Sequence, residues 1–401
     1  MIKILYITPF LPYDYLTHAG GQTFNYYIKQ LAKSGKFEIN IVSIIANDIE
    51  SDAEEYGITV WRKSEKKRRF RKIFNLGFRY NPCHKYGNLK RNTEMSDLYS
   101  LLREMNRQGI QPDIIINEWT QMLLGIKKYK EIFPQAYFVA SEHDVTYLRY
   151  YREIEAGNKW HFKFLRKLSY VNMRKRELKC LEQCDLIKTH NIKDKELLIK
   201  DGVTNVKISP LVAFYHNYET FNYNPNSNKV IFYGAMSRPE NYEAALWFEN
   251  EVLPLLKDTG IQFVIIGGNP SKKLYDNKLP NVIITGYVDN LKSYFEDALC
   301  MVVPLKLGAG IKVKVLEAMS AGIPVLTNEI GIEGIHAQNY VDYIYCNQPN
   351  DYNLQIRKLL NNQKLCQYIS HNGRVLLKEN FNIEKSACQY VKELDSAIEK
   401  R

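Results

Sequence analysis

At 401 residues the chain is too long for one hydrophobic core and reads as two domains. Its 45% hydrophobic and 25% charged residues exclude disordered and fibrous classes. No apolar run reaches the roughly 18 residues of a membrane span, and the N-terminus enters a strand without a signal-peptide pattern, so a cytoplasmic protein is expected. The net charge of +11 points to an anionic partner, and seven scattered cysteines exclude the disulfide framework of a small secreted domain.

Residues 2–7 form an apolar, β-branched run expected as a buried parallel strand, followed by Thr8, Pro9, Phe10 and a loop over 12–21. His18, Ala19, Gly20, Gly21, Gln22 and Thr23 then open a helix over 24–34. A Gly-Gly pair at a helix start suits either a phosphate cradle or a flexible turn. Further strands are expected at 37–45, 113–116 and 136–140, the last delivering Ser141, Glu142, His143 and Asp144 at its C-terminal edge. Ligands of open α/β sheets gather at such edges, which singles out His143 among eight histidines, although a lone histidine also suits a structural role. Helical sequence covers 147–179, a strand 186–189, a helix 194–200 and a short strand 206–209. Cys180 and Cys184 lie one helical turn apart near His190. No second pair completes a metal site, and buried reduced thiols are expected.

The stretch 215–228 is polar, rich in Asn and Tyr, and reads as a linker. After it the alternation restarts, with strands at 229–233, 262–266, 282–285, 300–303, 324–327 and 343–346 and a final helix over 383–400. The fold class is therefore α/β, with two separate parallel sheets covered by helices.

The richest stretch runs over 304–324, PLKLGAGIKVKVLEAMSAGIP. Gly308 and Gly310 let backbone approach a ligand, and the following helix N-terminus favours an anion such as a diphosphate. Lys312 and Lys314 add positive charge there, and Glu317, a turn deeper, suits a vicinal diol such as a ribose. The glycines alone also suit a tight strand-to-helix connection.

Residues 62–79 hold nine Lys/Arg against one Glu, interleaved with Phe70, Ile73, Phe74, Leu76 and Phe78. A second basic stretch, 159–179, carries Trp160, Phe162, Phe164 and Leu165. Both suit docking on an anionic membrane surface, and both equally suit a solvated basic face on core-packing helices.

Taken together, the Gly20-Gly21 loop, His143-Asp144, Phe232-Tyr233-Gly234, Gly267-Gly268, Thr285-Gly286-Tyr287-Val288 and the string over 304–324 resemble the retaining glycosyltransferases of the GT-B fold, family 4 (group 1) type. The resemblance implies two Rossmann-like domains facing across a cleft: an acceptor domain at 1–214, a linker at 215–228, a nucleotide-sugar domain at 229–380, and a C-terminal helix at 381–401 crossing back to the first. It implies that Gly20 and Gly21 approach the donor phosphates, that Val288 holds the nucleobase through its backbone, that Glu317 binds the ribose hydroxyls, and that His143 contacts the donor sugar. Asn241, Gly268, Gly308, Ala309, Gly310 and Lys314 complete the implied donor site.

Two departures stand out. Ala309 occupies the position of the first glutamate of the family's paired-glutamate motif, so backbone amides of 308–310 would replace that carboxylate contact to the sugar. Where an Arg and a Lys usually follow the first strand of the second domain, this chain has Gly234, Ala235, Met236, Ser237 and a shifted Arg238, with Lys312 and Lys314 as replacement charge.

The expected chemistry is transfer of a sugar from a UDP- or GDP-linked donor to a glycan, lipid-linked or protein-linked acceptor in surface polysaccharide or glycoconjugate synthesis. Lys312, Lys314, Arg238 and the helix N-terminus would stabilise the leaving diphosphate. No metal or cofactor is expected, since no DxD-like pair stands at a strand end. The departing phosphate would take the acceptor proton, leaving His143 to position the donor. Two other readings stay open: a sugar-nucleotide 2-epimerase on the same fold, and a non-catalytic basic protein binding membrane or nucleic acid. No nucleic-acid motif accompanies the basic runs, so nucleic acid is not expected as a partner. Peripheral docking on the inner face of the cell membrane is.

Overall fold

The computed structural model describes residues 1–14, 16, 18–43, 51–61, 92–156, 160–276, 278–308 and 310–399. The basic run at 62–79, residue 159 of the second basic stretch, and Ala309 lie outside them. Two compact units emerge: one of Met1–Phe214 with Ile383–Arg401, the other of Tyr215–Asn382.

The first unit is built on a parallel sheet. In chain order its strands are β1 (Ile2–Thr8), β2 (Phe37–Ser43), β3 (Thr59–Trp61), β4 (Ile114–Glu118), β5 (Tyr137–Glu142), β6 (Leu186–Thr189) and β7 (Lys207–Pro210). They lie in the order β3-β2-β1-β4-β5-β6-β7, every neighbouring pair parallel. The central strands are buried almost throughout, as expected of near-continuous Ile, Leu and Val runs covered on both faces. The edge strand β3 was not expected: three residues are too few to show a period.

Helix α1 (Ala19–Lys33) starts five residues earlier than its apolar period suggests. The reason is local, because His18 Nδ1 accepts the Gly21 N–H at 2.9 Å and caps the first turn. Helix α2 spans Asn92–Arg107, and the short helices α3 (Thr120–Leu123) and α4 (Ile126–Ile132) follow β4. The helical run expected over 147–179 is two helices packed on each other, α5 (Thr146–Ala156) and α6 (Trp160–Leu181). Gly157 and Asn158, both poor helix formers, fall between them in sequence. Helix α7 is Ile192–Lys200.

The second unit holds β8 (Lys229–Tyr233), β9 (Gln262–Ile266), β10 (Val282–Gly286), β11 (Cys300–Val303), β12 (Val325–Thr327) and β13 (Ile344–Tyr345). They form a six-stranded parallel sheet in the order β10-β9-β8-β11-β12-β13. Its helices include α8 (Pro239–Trp247), α9 (Lys292–Glu296), α10 (Val313–Ser320), α11 (Pro349–Leu360) and α12 (Gln363–Asn380). Residues 215–228 have no regular structure, yet side chains fix them to this unit: the Tyr223 hydroxyl donates to Leu299 O at 2.8 Å and the Tyr218 N–H to Ser320 Oγ at 3.0 Å.

The last helix, α13 (Ile383–Glu399), crosses back to the first unit, as expected. Ala387, Tyr390 and Leu394 enter the core beside β1, β2 and α1. Lys188, almost wholly buried on β6, donates to Glu393 at 2.7 Å, so a charge that burial would penalise is paired by the returning helix. Among the described residues no helix is long and apolar enough to cross a membrane.

Candidate functional site

In the second unit, the ends of β8 and β9 meet without side chains between them. A Cβ on Gly267 would stand 1.7 Å from the Gly234 carbonyl oxygen, so only glycine allows this approach. The amine of Lys314, in the first turn of α10, enters the space beside Gly234: a Cβ there would come within 2.6 Å of Nζ. Lys314 Nζ donates to Asn241 Oδ1 at 2.6 Å and lies 4.8 Å over the Phe232 ring, while Asn241 Nδ2 donates to Ala235 O at 2.9 Å. Burial pulls the Lys314 amine down to about 7, and the charges of Arg238 and Lys312 push the same way.

Glu317 sits three residues on, on the same face of α10. It is buried, accepts the His216 N–H at 3.4 Å, and is raised by that burial to about 7. Ser320 Oγ donates to the Glu317 carbonyl oxygen at 2.7 Å and so braces the same turn.

Lys312 caps α10, but its amine turns back on the glycine loop. It donates to Gly310 O at 2.5 Å and stands 3.5 Å from the Glu333 carboxylate. Gly308 (φ 135°) and Gly310 (φ 68°) hold the loop in backbone conformations that side chains disfavour. Arg238 is largely exposed at the start of α8 and pairs with Glu240. Gly268 faces the Tyr287 side chain, which is 77% exposed, and Val288 follows, half-buried, in the loop after β10.

The first unit holds the other group. The sheet register sets Glu118 against Ser141 and Glu142 against Thr189, so β4, β5 and β6 end level with one another. Just past those ends, Trp119, His143 and His190 form a stack, with ring centroids 4.0 Å apart on both sides of His143 and interplanar angles of 13° and 12°. His143 Nε2 lies 2.8 Å from Glu118 Oε2, both side chains more than nine-tenths buried. Burial pushes the Glu118 carboxyl up to about 8 and the His143 imidazole down to about 3, so near neutral pH the contact is a hydrogen bond between neutral groups rather than an ion pair. Gly20 lets the first turn of α1 approach the stack: a Cβ there would stand 3.2 Å from His143 Nδ1 and 3.4 Å from Trp119 Cζ2. At Gly21 a Cβ would collide with the capping ring of His18 at 2.6 Å.

The structure thus gathers Lys314, Asn241, Gly234 and Glu317 in one unit, and Gly20, Gly21 and His143 in the other. Sequence reasoning missed Glu118, Trp119 and Glu333, and it weighed His190 only beside Cys180 and Cys184, not at the strand end it shares with His143. Glu142, also pushed up to about 8 by burial, accepts from Thr120 Oγ1 at 2.5 Å; Glu177 accepts the Thr146 and Tyr147 N–H groups and so caps α5. Cys184 is buried and its thiol donates to Cys180 O at 3.7 Å. Among the described residues no group of three or more His, Cys, Asp or Glu could hold a metal ion.

Residues 227–362 match the family model described as glycosyl transferases group 1. Over 193 residues the chain is 23% identical to an uncharacterized 44.6 kDa protein in a cps region of Klebsiella pneumoniae, a match covering 45% of this chain and 50% of that protein. The chain therefore spans about half the length of that relative. It is 25% identical over 316 residues to an uncharacterized glycosyltransferase of Methanocaldococcus jannaschii, covering 72% of this chain and 76% of the other. Among solved structures it superposes on Anabaena HepE in complex with UDP and glucose with a TM-score of 0.65, at 12% identity and over 99% of this chain and 100% of that one. Two Rossmann-like parallel sheets in one chain are the GT-B architecture of that neighbour.

Proposed function

With a group 1 glycosyltransferase domain on a GT-B fold as the premise, we propose that the protein is a retaining glycosyltransferase. It moves a sugar from a UDP- or GDP-linked donor to a glycan, lipid-linked or protein-linked acceptor in the synthesis of a surface polysaccharide or glycoconjugate. The observation that carries the reading is the inward-turned Lys314 amine, held by Asn241 beside glycine strand ends, with buried Glu317 three residues on along the same helix face. A buried ammonium at a helix start suits a diphosphate, and a buried carboxylate one turn deeper suits the two hydroxyls of a ribose. The UDP bound to HepE and the cps-region setting of the Klebsiella relative support the donor and the pathway.

In this reading the growing charge of the leaving nucleoside diphosphate falls to Lys314, with Arg238 and Lys312 nearby. One well-placed donor supplies on the order of 2 to 4 kcal/mol of transition-state stabilisation. The departing phosphate removes the acceptor proton and the sugar keeps its configuration, with no metal or cofactor involved. The test is thermal stabilisation across UDP, GDP and their sugars, followed by incubation with the labelled donor that binds. A donor at 100 times its Kd is expected to add about 2.7 kcal/mol. Epimerised donor, or no stabilisation by any nucleotide, overturns the proposal.

The basic helix α6 adds a place of work. Lys167, Leu168, Val171, Lys175 and Lys179 are exposed along it, and exposed Tyr151 of α5 packs against Tyr170. Apolar side chains among lysines suit an anionic bilayer surface, where a lipid-linked acceptor resides. At roughly 1 kcal/mol per lysine, a Lys167→Ser, Lys175→Ser, Lys179→Ser protein is expected to bind phosphatidylserine vesicles about 100-fold more weakly. Equal cosedimentation of the parent and the triple variant would remove the membrane from the proposal.

A further inference from the structure

Glu118, Trp119 and His190 each restrain one freedom of the His143 imidazole. Trp119 and His190 clamp its two faces, which fixes the ring plane. Glu118 fixes rotation within that plane through its 2.8 Å contact with Nε2. Nδ1 has no hydrogen bond among the described residues and lies beside the first turn of α1 at Gly20. The indole of the clamp is held there by a backbone at φ 65°, a left-handed conformation that an aromatic residue adopts only under restraint. The Trp119 N–H donates to Ser141 O at 3.0 Å, which ties that backbone to the strand before His143. A buried carboxyl, two stacked rings and a strained residue converge on one imidazole, and together they leave it a single nitrogen with which to act.

We propose that Glu118 is a positioning residue: its carboxyl donates to Nε2, which keeps the imidazole proton on Nδ1 and makes that nitrogen a hydrogen-bond donor to an oxygen of bound substrate. Only the identity of that substrate rests on the sugar-transfer reading. Burial favours the uncharged form of both partners, which leaves one proton on the carboxyl and one on the ring near pH 7. When Glu118 ionises, at about 8, the carboxylate must accept instead. The ring proton then moves to Nε2, and Nδ1 becomes a lone pair. The other titratable groups around the pair are His18, which faces His143, His190 on the opposite ring face, and Glu142, Tyr6 and Tyr390 near Glu118.

The tautomer can be read by imidazole 15N NMR on the full, ligand-free chain, with His143→Gln supplying the assignment. The wild type is expected to carry the proton on Nδ1 at pH 6.5 and to shift it to Nε2 above about pH 8. Glu118→Gln, whose amide still donates to Nε2, is expected to keep Nδ1–H at pH 9. In steady-state transfer, Glu118→Ala is expected to lower kcat about 100-fold with donor KM within about threefold. Wild-type kcat is expected to decline above about pH 8, and Glu118→Gln should recover at least about tenfold of the Glu118→Ala loss without that decline. A proton on Nε2 in the wild type at pH 6.5, or a Glu118→Gln protein no better than Glu118→Ala, overturns the proposal. If Glu118→Ala does not fold, the wild type and Glu118→Gln decide by NMR alone. Absence of transfer with every donor would count against the sugar-transfer reading only, because the tautomer is measured without ligand.

Discussion

A Lys314→Met protein is expected to bind the nucleotide-sugar donor about 100-fold more weakly than the parent and to turn over about 100- to 1,000-fold more slowly. The loss follows from where the amine sits. In water a lysine near a diphosphate is one exposed charge among others, but Lys314 is half-buried at the start of α10, with its amine turned inward and Asn241 holding one of its protons. In such a site electrostatic stabilisation is strong and nothing has to reorganise when charge develops. The same burial that gives Lys314 its strength brings its pKa down to about 7.

A diphosphate beside it would raise that value again, so donor binding takes up a proton. The Lys314 uptake is about half a proton at pH 7 and grows above it, while Glu317, which ionises to receive the ribose hydroxyls, releases about half a proton at pH 7. Titration calorimetry in two buffers of different ionisation enthalpy, on the parent and on Lys314→Met, reads the Lys314 uptake as the difference between the two proteins. The variant should be no less stable than the parent, since a buried amine with a lowered pKa is a cost to the folded state below its unfolded value. Retained affinity and an unchanged pH slope in Lys314→Met would exclude Lys314 from the donor site.

Glu317 separates function from stability. Glu317→Ala is expected to weaken donor binding by about 100-fold, the loss of charge-assisted hydrogen bonds to two hydroxyls. Glu317→Gln should also bind poorly, yet be the more stable protein at pH 8. The carboxyl is raised from 4.5 to about 7 in the folded state, so it contributes nothing below pH 4, and its cost grows as pH rises from there through 7. That displacement corresponds to at most about 3 kcal/mol, which the uncharged amide recovers while still accepting from the His216 N–H. Thermal melts at pH 4 and pH 8 give the comparison. A Glu317→Gln protein less stable than its parent at pH 8, or one that binds donor equally well, contradicts this account. A binding acid kept at the expense of the fold is the pattern expected where a site is selected over stability.

All strands but β3 were legible because each is a short apolar run closed by glycine or polar residues. The stretches 186–189, 229–233, 262–266 and 300–303 match β6, β8, β9 and β11 residue for residue. Three-residue β3 was not legible, and neither was the early start of α1, which depends on the His18 side chain turning back onto the Gly21 N–H. His143 could be picked out because it follows a visible strand. Glu118 and His190 could not, because their relation to it depends on how β4, β5 and β6 align, and each lies 25 or more residues away in sequence.

The lysines of the glycine-rich string show the same division. Read along the chain, Lys312 and Lys314 are equivalent charges two residues apart. Folded, the first caps α10 and turns back to Gly310 O and Glu333, whereas the second enters the buried space beside Gly234 and Asn241. The sequence by itself determined the two α/β sheets, their strand ends and the residue types gathered there, because hydrophobic period and turn chemistry are local. Tertiary structure alone decided which Lys314, Glu317 and Glu118 protons titrate near neutrality and which ring nitrogen of His143 is left to act. Those properties come from burial, strand register and helix phase, which bring together groups far apart in the chain.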